Sequence, residues 1–589
     1  LLSVCIGQEP ASLFLYGDRS SAANSILQAI YDGPLDYVAY QPQPVILEKL
    51  PSLADGDAAL QPVEVQPGEL ILDATGNWVT LQAGVSYRPS GCTSASCALT
   101  YEGDQVVSMD ELVVQFRLLP GLLWSDGQPL TAGDSVYSYQ VYRSLFASLA
   151  PDRLRYTRTY QALDAQTVRW TGIPGYQGRY DLFFFTPLPE HAWGGLAPAD
   201  LASAEISSRA PIGWGPYVLT EWIRRDHITL ARNENYFRAG AGLPNFDYLV
   251  FRFTPDPQSA LDALLVGECD YVDWTAGLDA NFAELIELQQ ADRLKLTIQT
   301  GTAWELLSFG IQPYDPNRPA FFAQAEVRQA VAYCLDRQAL AEIAWGGFAS
   351  VPDSFVSAQH LAADPEIEAY QPDLEQAATL LSAAGWLDLD LDPQTARTAS
   401  GVPGVPDGTR FAFTFLVPDD GERPQVAEAI QADLQRCGLQ ARIELLPWDQ
   451  VLAPGPGGPV FGRQYDLAQF AWASGLEPAC GLYLSAEIPG PYPQYARGWG
   501  GANAAGFSLA DYDQSCQQAR ITLPDQAGQQ QASWQTQRLF VQELPALPLY
   551  ERLRVAAMRP DLCGLAGEMV FENPLSRLES LDYGAGCRP

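Results

Sequence analysis

The stretch from Pro211 to Phe237, PIGWGPYVLTEWIRRDHITLARNENYF, constrains the local backbone more than any other part of this chain. Gly213 and Gly215 flank Trp214 where the backbone must turn or approach another group closely, and Pro216 stiffens the exit into a short apolar strand. Val218, Thr220 and Trp222 then alternate with Leu219 and Glu221, as in a half-buried strand. HITLARN supplies a second alternating run, and the two together predict a two-stranded hairpin.

Elsewhere the patterns alternate between strand and helix. SILQAIYDGPL places Ile26, Leu27 and Ile30 on one helical face ending near Gly33. From Leu35 to Phe185 short alternating runs separated by turn signals predict a mostly β region, with strands in Glu69–Asn77 and Val113–Pro120. Leu118 to Tyr142 reads as a strand, an Asp126-Gly127 turn and a helix capped by Thr131. After the hairpin, FDYLVFRF predicts a strand, and a Pro-marked turn leads to a helix with Leu261, Leu264 and Leu265 facing inward. One helix is expected from Glu326, with Val327, Val331, Cys334 and Leu335 on one face and Gly346 and Gly347 ending it. Gly385 stops another, LEQAATLLSAAG. From Phe411 a strand, a helix over about Pro424 to Cys437, Gly438 at its C-cap and the strand ARIELLPW make an α/β unit.

At 589 residues the length prior is about four structural units, or fewer large lobes. The composition, 47% hydrophobic and 18% charged, is that of a folded chain with loops rather than a disordered one. A net charge of −35 would repel phosphate backbones and anionic membranes, so nucleic acid is not an expected partner; the acidity otherwise serves solubility. Ten cysteines without a CxxC pair, beside three histidines, fit disulfides in an oxidising, extracytoplasmic compartment better than a zinc site. Cys92 and Cys97 bracket a small loop and suggest a local bridge, and Cys563 with Cys587 would tie down the C-terminal segment. LLSVC superficially matches a lipoprotein cleavage box, but Val4 stands where such boxes want a small residue. No apolar run reaches the roughly 18 residues of a membrane span, and any export signal or lipid anchor is expected outside this chain.

Several of these segments resemble, in order, the extracellular solute-binding proteins of the dipeptide, oligopeptide and nickel type that serve ATP-binding-cassette importers. The hairpin entry GWGPY resembles the family's GTGPY segment. Trp124, Ser125, Asp126, Gly127, Pro129, Leu130, Thr131, Ala132, Asp134, Tyr137 and Ser138 match its W-S-D-G-x-P-[LV]-T-A-x-D-V-x-[FY]-[ST] pattern, with Ser135 in place of Val. VRQAVAYCLDRQAL resembles its V-R-Q-A helix, and IGQEPASL its first core strand, which puts Cys5 in a sheet. The resemblance implies a two-lobed α/β fold of the type II periplasmic-binding-protein (Venus-flytrap) class with an extra mostly β subdomain. It places residues 1–36, 201–301 and 545–589 in lobe one, the β subdomain at 37–200 inside that lobe, and lobe two at 302–544.

The implied activity is capture of a small organic solute, peptide-like or oligosaccharide-like, by lobe closure and its delivery to a membrane permease. A monomer without cofactor, metal or catalytic residue is expected. The implied ligand-lining residues are Trp472, Ser474, Glu477, Asp32, Tyr550 and Trp214. Trp472, in YDLAQFAWASGLEPACGLYL, matches a ligand-lining tryptophan at a strand end, although a tryptophan after an apolar strand is otherwise a core residue. Peptide-binding members follow it with an aspartate that pairs with the peptide ammonium. Here Ala473, Ser474, Gly475 and Leu476 follow, so Glu477 or Asp32 would have to substitute. Asp32 otherwise reads as a helix-end carboxylate, Tyr550 as core, and Trp214 either narrows the cleft or packs within lobe one. Two rivals are a metal-chelate receptor of the nickel type and an extracellular hydrolase. For the latter, the nearest nucleophile elbow, Gly506-x-Ser508-x-Ala510, lacks its final Gly, and His191, His227 and His360 lie in unrelated contexts.

Overall fold

Each strand of the Pro211–Phe237 stretch forms over its alternating run: Tyr217–Ile223 and His227–Arg232 pair antiparallel, with Tyr217 opposite Arg232 and a bulge between Leu219 and Glu221. The two glycines serve close approach rather than a left-handed turn. A Cβ on Gly213 would lie 2.0 Å from the Ile30 carbonyl oxygen, and one on Gly215 would lie 2.6 Å from the Ile30 carbonyl carbon. The Gly215 N–H donates to that Ile30 oxygen at 2.7 Å, so the hairpin entry seals the end of helix Ser21–Ile30.

The computed structural model describes residues 1–149, 151–390, 392, 394–475, 477–524, 527–565, 575–584 and 587. The chain divides into two units, the first made of Leu1–Gln299, Ile521–Leu523 and Arg554–Pro589, the second of Thr300–Arg520 and Pro524–Leu553. The division falls inside two long strands, Lys295–Phe309 and Ala546–Met558, so residues 545–553 belong to the second unit.

In the first unit the buried strand Leu2–Ile6 pairs in parallel with Tyr248–Phe253 on one side and with Tyr271–Val272 on the other. The hairpin extends this sheet beyond Tyr248–Phe253, and Ala557 and Met558 pair antiparallel with Val272 and Tyr271. Helix Ser21–Ile30 starts where the Ser20 hydroxyl accepts the Ala23 N–H, and it buries Ile26, Leu27 and Ile30 as its spacing predicts. A second sheet, in the order Thr157–Ala162, Thr167–Gly172, Val107–Arg117 and Ala58–Val65, is antiparallel throughout. The helix Ala132–Phe146 beside it begins at Thr131, whose N–H donates to the Asp134 carboxylate at 2.8 Å, and Gly127 takes the positive φ of the preceding turn.

The second unit contains the strand–helix–strand unit expected from Phe411. Ala412–Pro418 and Gln440–Leu446 are parallel, joined by helix Arg423–Arg436. Leu467–Ala473 pairs in parallel with the first of these and antiparallel with Ala303–Phe309. The single helix expected from Glu326 is two helices, Ala325–Cys334 and Arg337–Trp345. Leu335 is extended, and the Asp336 carboxylate accepts the Ala339 N–H at 3.0 Å, so a new helix starts although the apolar period runs on.

All ten cysteines are paired, as Cys5–Cys269, Cys92–Cys97, Cys334–Cys437, Cys480–Cys516 and Cys563–Cys587. Cys5 lies in the first core strand and closes a loop of 264 residues. In the chain-entropy picture such a loop constrains the unfolded chain by about 5.6 kcal/mol, against about 2 kcal/mol for one of five residues. Among the described residues no helix is long and apolar enough to cross a membrane.

Candidate functional site

The period of two along Ala303–Phe309 and Leu467–Ala473 gives their sheet two unlike faces. Trp304 stands opposite Trp472 in the register, and Leu306 opposite Phe470, so these side chains share one face. Trp304 is buried in the second unit's core, whereas Trp472, one residue from the strand end, is half-buried. Its ring meets Phe470 edge-on at 5.7 Å and Phe461 at 6.1 Å. The Ser474 N–H donates to the Thr302 carbonyl at 2.7 Å, and the Ser474 hydroxyl reaches the Phe355 carbonyl at 3.4 Å. Glu477 is exposed beyond it. Trp472, Ser474 and Glu477 therefore belong to one strand end and the loop that leaves it; Leu476 lies outside the described residues. The indole N–H of Trp304 is buried and, among the described residues, has no hydrogen-bond partner. A half-buried aromatic wall beside a polar loop can stack on a flat ligand face and supply a few directional contacts.

The opposite face of the same strands carries an ion network that the sequence patterns do not reveal. Glu305 is fully buried and receives Arg423 in a two-armed pair, Nε at 2.7 Å and a terminal nitrogen at 3.0 Å. Arg552 donates to Glu305 at 3.0 Å and to Glu422 at 2.6 Å, and Gln469 adds an amide contact to Glu305 at 3.3 Å. Tyr550 belongs here. It is fully buried and its hydroxyl donates to Glu422 at 3.2 Å. Burial, then the Glu305 charge, raise its phenol far above the ordinary value. Burial works against the Arg552 cation, but Glu422 and Glu305 outweigh it and hold the guanidinium above its ordinary range. Tyr550 thus sits as a core residue in this conformation, bound to a carboxylate rather than facing solvent.

Asp32 and Trp214 meet in the first unit. The Trp214 indole N–H donates to the Asp32 carbonyl at 2.8 Å, and its ring packs on Tyr31 at 5.0 Å and Trp124 at 5.4 Å. At 1% exposure it presents no free face, because the two glycines beside it let the backbone press onto helix Ser21–Ile30 and carry the ring inward. The Asp32 carboxylate, 2% exposed, accepts from the Tyr236 hydroxyl at 2.6 Å and lies 3.4 Å from Arg238. The same Arg238 nitrogen pairs with buried Glu579 at 2.6 Å. Burial raises Asp32, and burial with the nearby Asp32 charge pushes Asp36 and Glu579 up to about 7. Asp32 is thus one of a group of crowded interior carboxylates rather than an exposed anchor.

Among the described residues no group of three or more His, Cys, Asp or Glu side chains is placed to hold a metal ion. His191 meets Asp126, His227 meets Asp226, and the Ser508 hydroxyl meets that of Ser485 at 2.9 Å rather than an imidazole. Two surface hollows of about 590 and 440 Å³ flank strand Gln440–Leu446, and none of the six sequence-predicted residues lines either.

A family profile, "Bacterial extracellular solute-binding proteins, family 5 Middle", matches residues 97–487. The oligopeptide-binding protein AppA of Bacillus subtilis is 23% identical over 361 residues, 58% of this chain and 60% of AppA. The chain thus spans about half to three-fifths of the length of the curated relatives it matches. Among solved structures, the oligopeptide binding protein of Thermus thermophilus complexed with pentapeptide superposes with a TM-score of 0.65 at 19% identity, covering 99% of this chain and 96% of that one. The ABC transporter substrate binding protein CtaP of Listeria monocytogenes does so with a TM-score of 0.70 at 18% identity, covering 99% of both. At these identities the likeness establishes the α/β periplasmic-binding-protein fold.

Proposed function

Because this chain belongs to the bacterial extracellular solute-binding proteins, family 5, we propose that it is the substrate-binding component of an ATP-binding-cassette importer. It captures a small organic solute outside the cytoplasm and hands it to a membrane permease. The observation that carries this reading is the family match over residues 97–487, with Trp472 half-buried at a strand end inside it. Closure of two lobes on the solute is the proposed signal to the permease; a shift from mostly open to mostly closed needs roughly 5 kcal/mol of preference for the closed form. Five disulfides agree with an extracytoplasmic, oxidising compartment. The protein is read as a binder, not an enzyme.

A peptide-like solute is the first choice, since AppA is named for oligopeptide binding. Ala473, Ser474 and Gly475 follow Trp472 without a carboxylate, and Asp32 is interior and already engaged. Glu477, exposed on the loop that leaves the Trp472 strand, is the proposed partner for a ligand ammonium, and Trp472 the proposed stacking wall with Ser474 beside it. A sugar-like solute, which carries no ammonium, is the second reading, and the missing carboxylate favours it. Native mass spectrometry of the freshly purified protein distinguishes them. A retained non-covalent peptide or oligosaccharide is expected. If the protein retains no solute, and neither peptides nor oligosaccharides shift its melting temperature, the receptor reading fails. Chemical turnover of a bound compound would replace it with an enzyme.

A further inference from the structure

The strand pair Ala303–Phe309 and Leu467–Ala473 carries Trp472 at one end. At its other end the segments that leave Phe309 and enter Leu467 meet, where the Gly310 N–H donates to the Asp466 carbonyl at 2.8 Å and the Tyr314 N–H to the Arg463 carbonyl at 3.0 Å. Arg463 is 2% exposed and holds a left-handed backbone, φ 51°, that residues with a side chain rarely adopt. One terminal guanidinium nitrogen donates to the Gln312 amide oxygen at 3.3 Å and the other to the Tyr495 hydroxyl at 3.0 Å. The Nε–H is buried and, among the described residues, has no hydrogen-bond partner. The rings of Tyr495 and Tyr314 lie 4.8 and 5.7 Å from the guanidinium carbon, and Trp499 meets Tyr314 edge-on at 5.0 Å. Two glycines seat these rings against bare backbone: a Cβ on Gly490 would lie 2.1 Å from the Tyr495 ring, and one on Gly455 would lie 2.5 Å from that of Trp499.

Arg463 differs from other buried arginines in what holds it. Arg328, Arg337 and Arg397 each donate to at least two backbone carbonyls and so tie fixed segments together. Arg463 donates to none among the described residues; its partners are side chains, and Gln312 is exposed and free to swing aside. The carboxylates of the surrounding segments are engaged elsewhere. Asp466 pairs with Arg318 at 2.8 Å, Glu487 pairs with Arg497 at 2.9 Å, and Asp315 accepts from Asn317. Arg463 is thus a cation in excess, without an ion pair among the described residues, in a chain of net charge −35. Such a buried cation is costly, and the tyrosine faces offset only part of that cost.

We propose that Arg463 and the rings of Tyr314, Tyr495 and Trp499 form a second binding site, separate from the Trp472 strand end, for a small aromatic monocarboxylate. The carboxylate takes the place of the Gln312 amide oxygen and gives the guanidinium a charged acceptor, a stronger partner than a neutral amide. Tyr314, 43% exposed, and the half-buried Tyr495 and Trp499 offer a wall to a flat apolar body. A single negative charge matches the one uncompensated cation, whereas a phosphate or dicarboxylate brings further charge into the field of a strongly acidic chain.

Titration calorimetry of the full chain with benzoate, and with benzamide as its neutral counterpart, tests the site. Benzoate should bind one to one, and benzamide about tenfold or more weakly. Gln312→Glu supplies a carboxylate from within the chain, so benzoate affinity should fall about tenfold or more. Asn317→Glu, which adds the same charge on an exposed neighbour, should leave it nearly unchanged. Arg463→Met should abolish binding, and Gln312→Glu carries the test if that variant does not fold. Trp472→Ala should bind benzoate as the wild-type chain does. No benzoate binding, equal binding of benzamide, affinity that survives Gln312→Glu, an equal fall in Asn317→Glu, or binding lost in Trp472→Ala overturns the proposal.

Discussion

The two units each bury an ion network, and the networks are built to opposite rules. In the second unit, fully buried Glu305 is bracketed by Arg423 and Arg552, and the cations are held above their ordinary range by the carboxylates. In the first unit, the buried carboxylates Asp32 and Glu579 share Arg238, while Asp36 adds a further interior negative charge and Arg577 offsets it from a distance. A network with a cation for each carboxylate, as Arg423 and Arg552 are for Glu305 and Glu422, is compensated when buried. In one short of cations, burial first and the neighbouring Asp32 charge second push Asp36 and Glu579 up to about 7. The first network should feel pH near neutrality.

Breaking the second network should cost most. Arg423→Met leaves Glu305 buried with fewer partners, and a loss of about 3–5 kcal/mol is expected in equilibrium urea unfolding, nearly the same at pH 6 and pH 8. Arg238→Met in the first unit should cost about 2 kcal/mol at pH 8 and less at pH 5.5, because its carboxylates can take up protons instead. A loss that does not shrink on acidification would equate the two networks and remove the contrast.

The pH dependence itself comes next. Asp36 and Glu579 have folded values of about 7, above ordinary carboxylate values near 4. Between roughly pH 4 and 7 the folded chain holds protons that the unfolded chain has released, so their stabilisation is present on the acid side and is lost as pH rises through 7. Melting of the first unit should therefore fall from pH 5 to pH 8 by the equivalent of a few kcal/mol. The double change Asp36→Asn and Glu579→Gln should flatten that slope, and an unchanged slope would place the titrating groups elsewhere.

Local chemistry was legible in the residues and long-range pairing was not. The hairpin follows from alternation, and Gly213 and Gly215 mark the close approach to Ile30. The Asp126-Gly127 turn and the Thr131 helix start are equally local. The break at Leu335 escaped because Val327, Val331, Cys334 and Leu335 keep a helical period across it, although Asp336 is a visible cap. Glu305 lies 118 residues from Arg423 and 247 from Arg552, and no periodicity joins them. Asp32 stood out singly, but Tyr236 and Glu579, which make it interior, come from the hairpin's end and the C-terminal segment. Trp214 shows the same limit, since an aromatic between glycines reads alike whether it lines a ligand or fills a core.

The smallest effect on folding, and the most direct on function, is expected at Trp472. It is half-buried at a strand end, so Trp472→Ala should leave both networks and the far-UV circular dichroism intact. Titration calorimetry of this variant, with the solute that native mass spectrometry finds on the wild-type protein, tests the receptor account at its centre. A loss of affinity of about tenfold or more is the predicted result. Unchanged affinity would contradict Trp472 as the wall against which the solute is held.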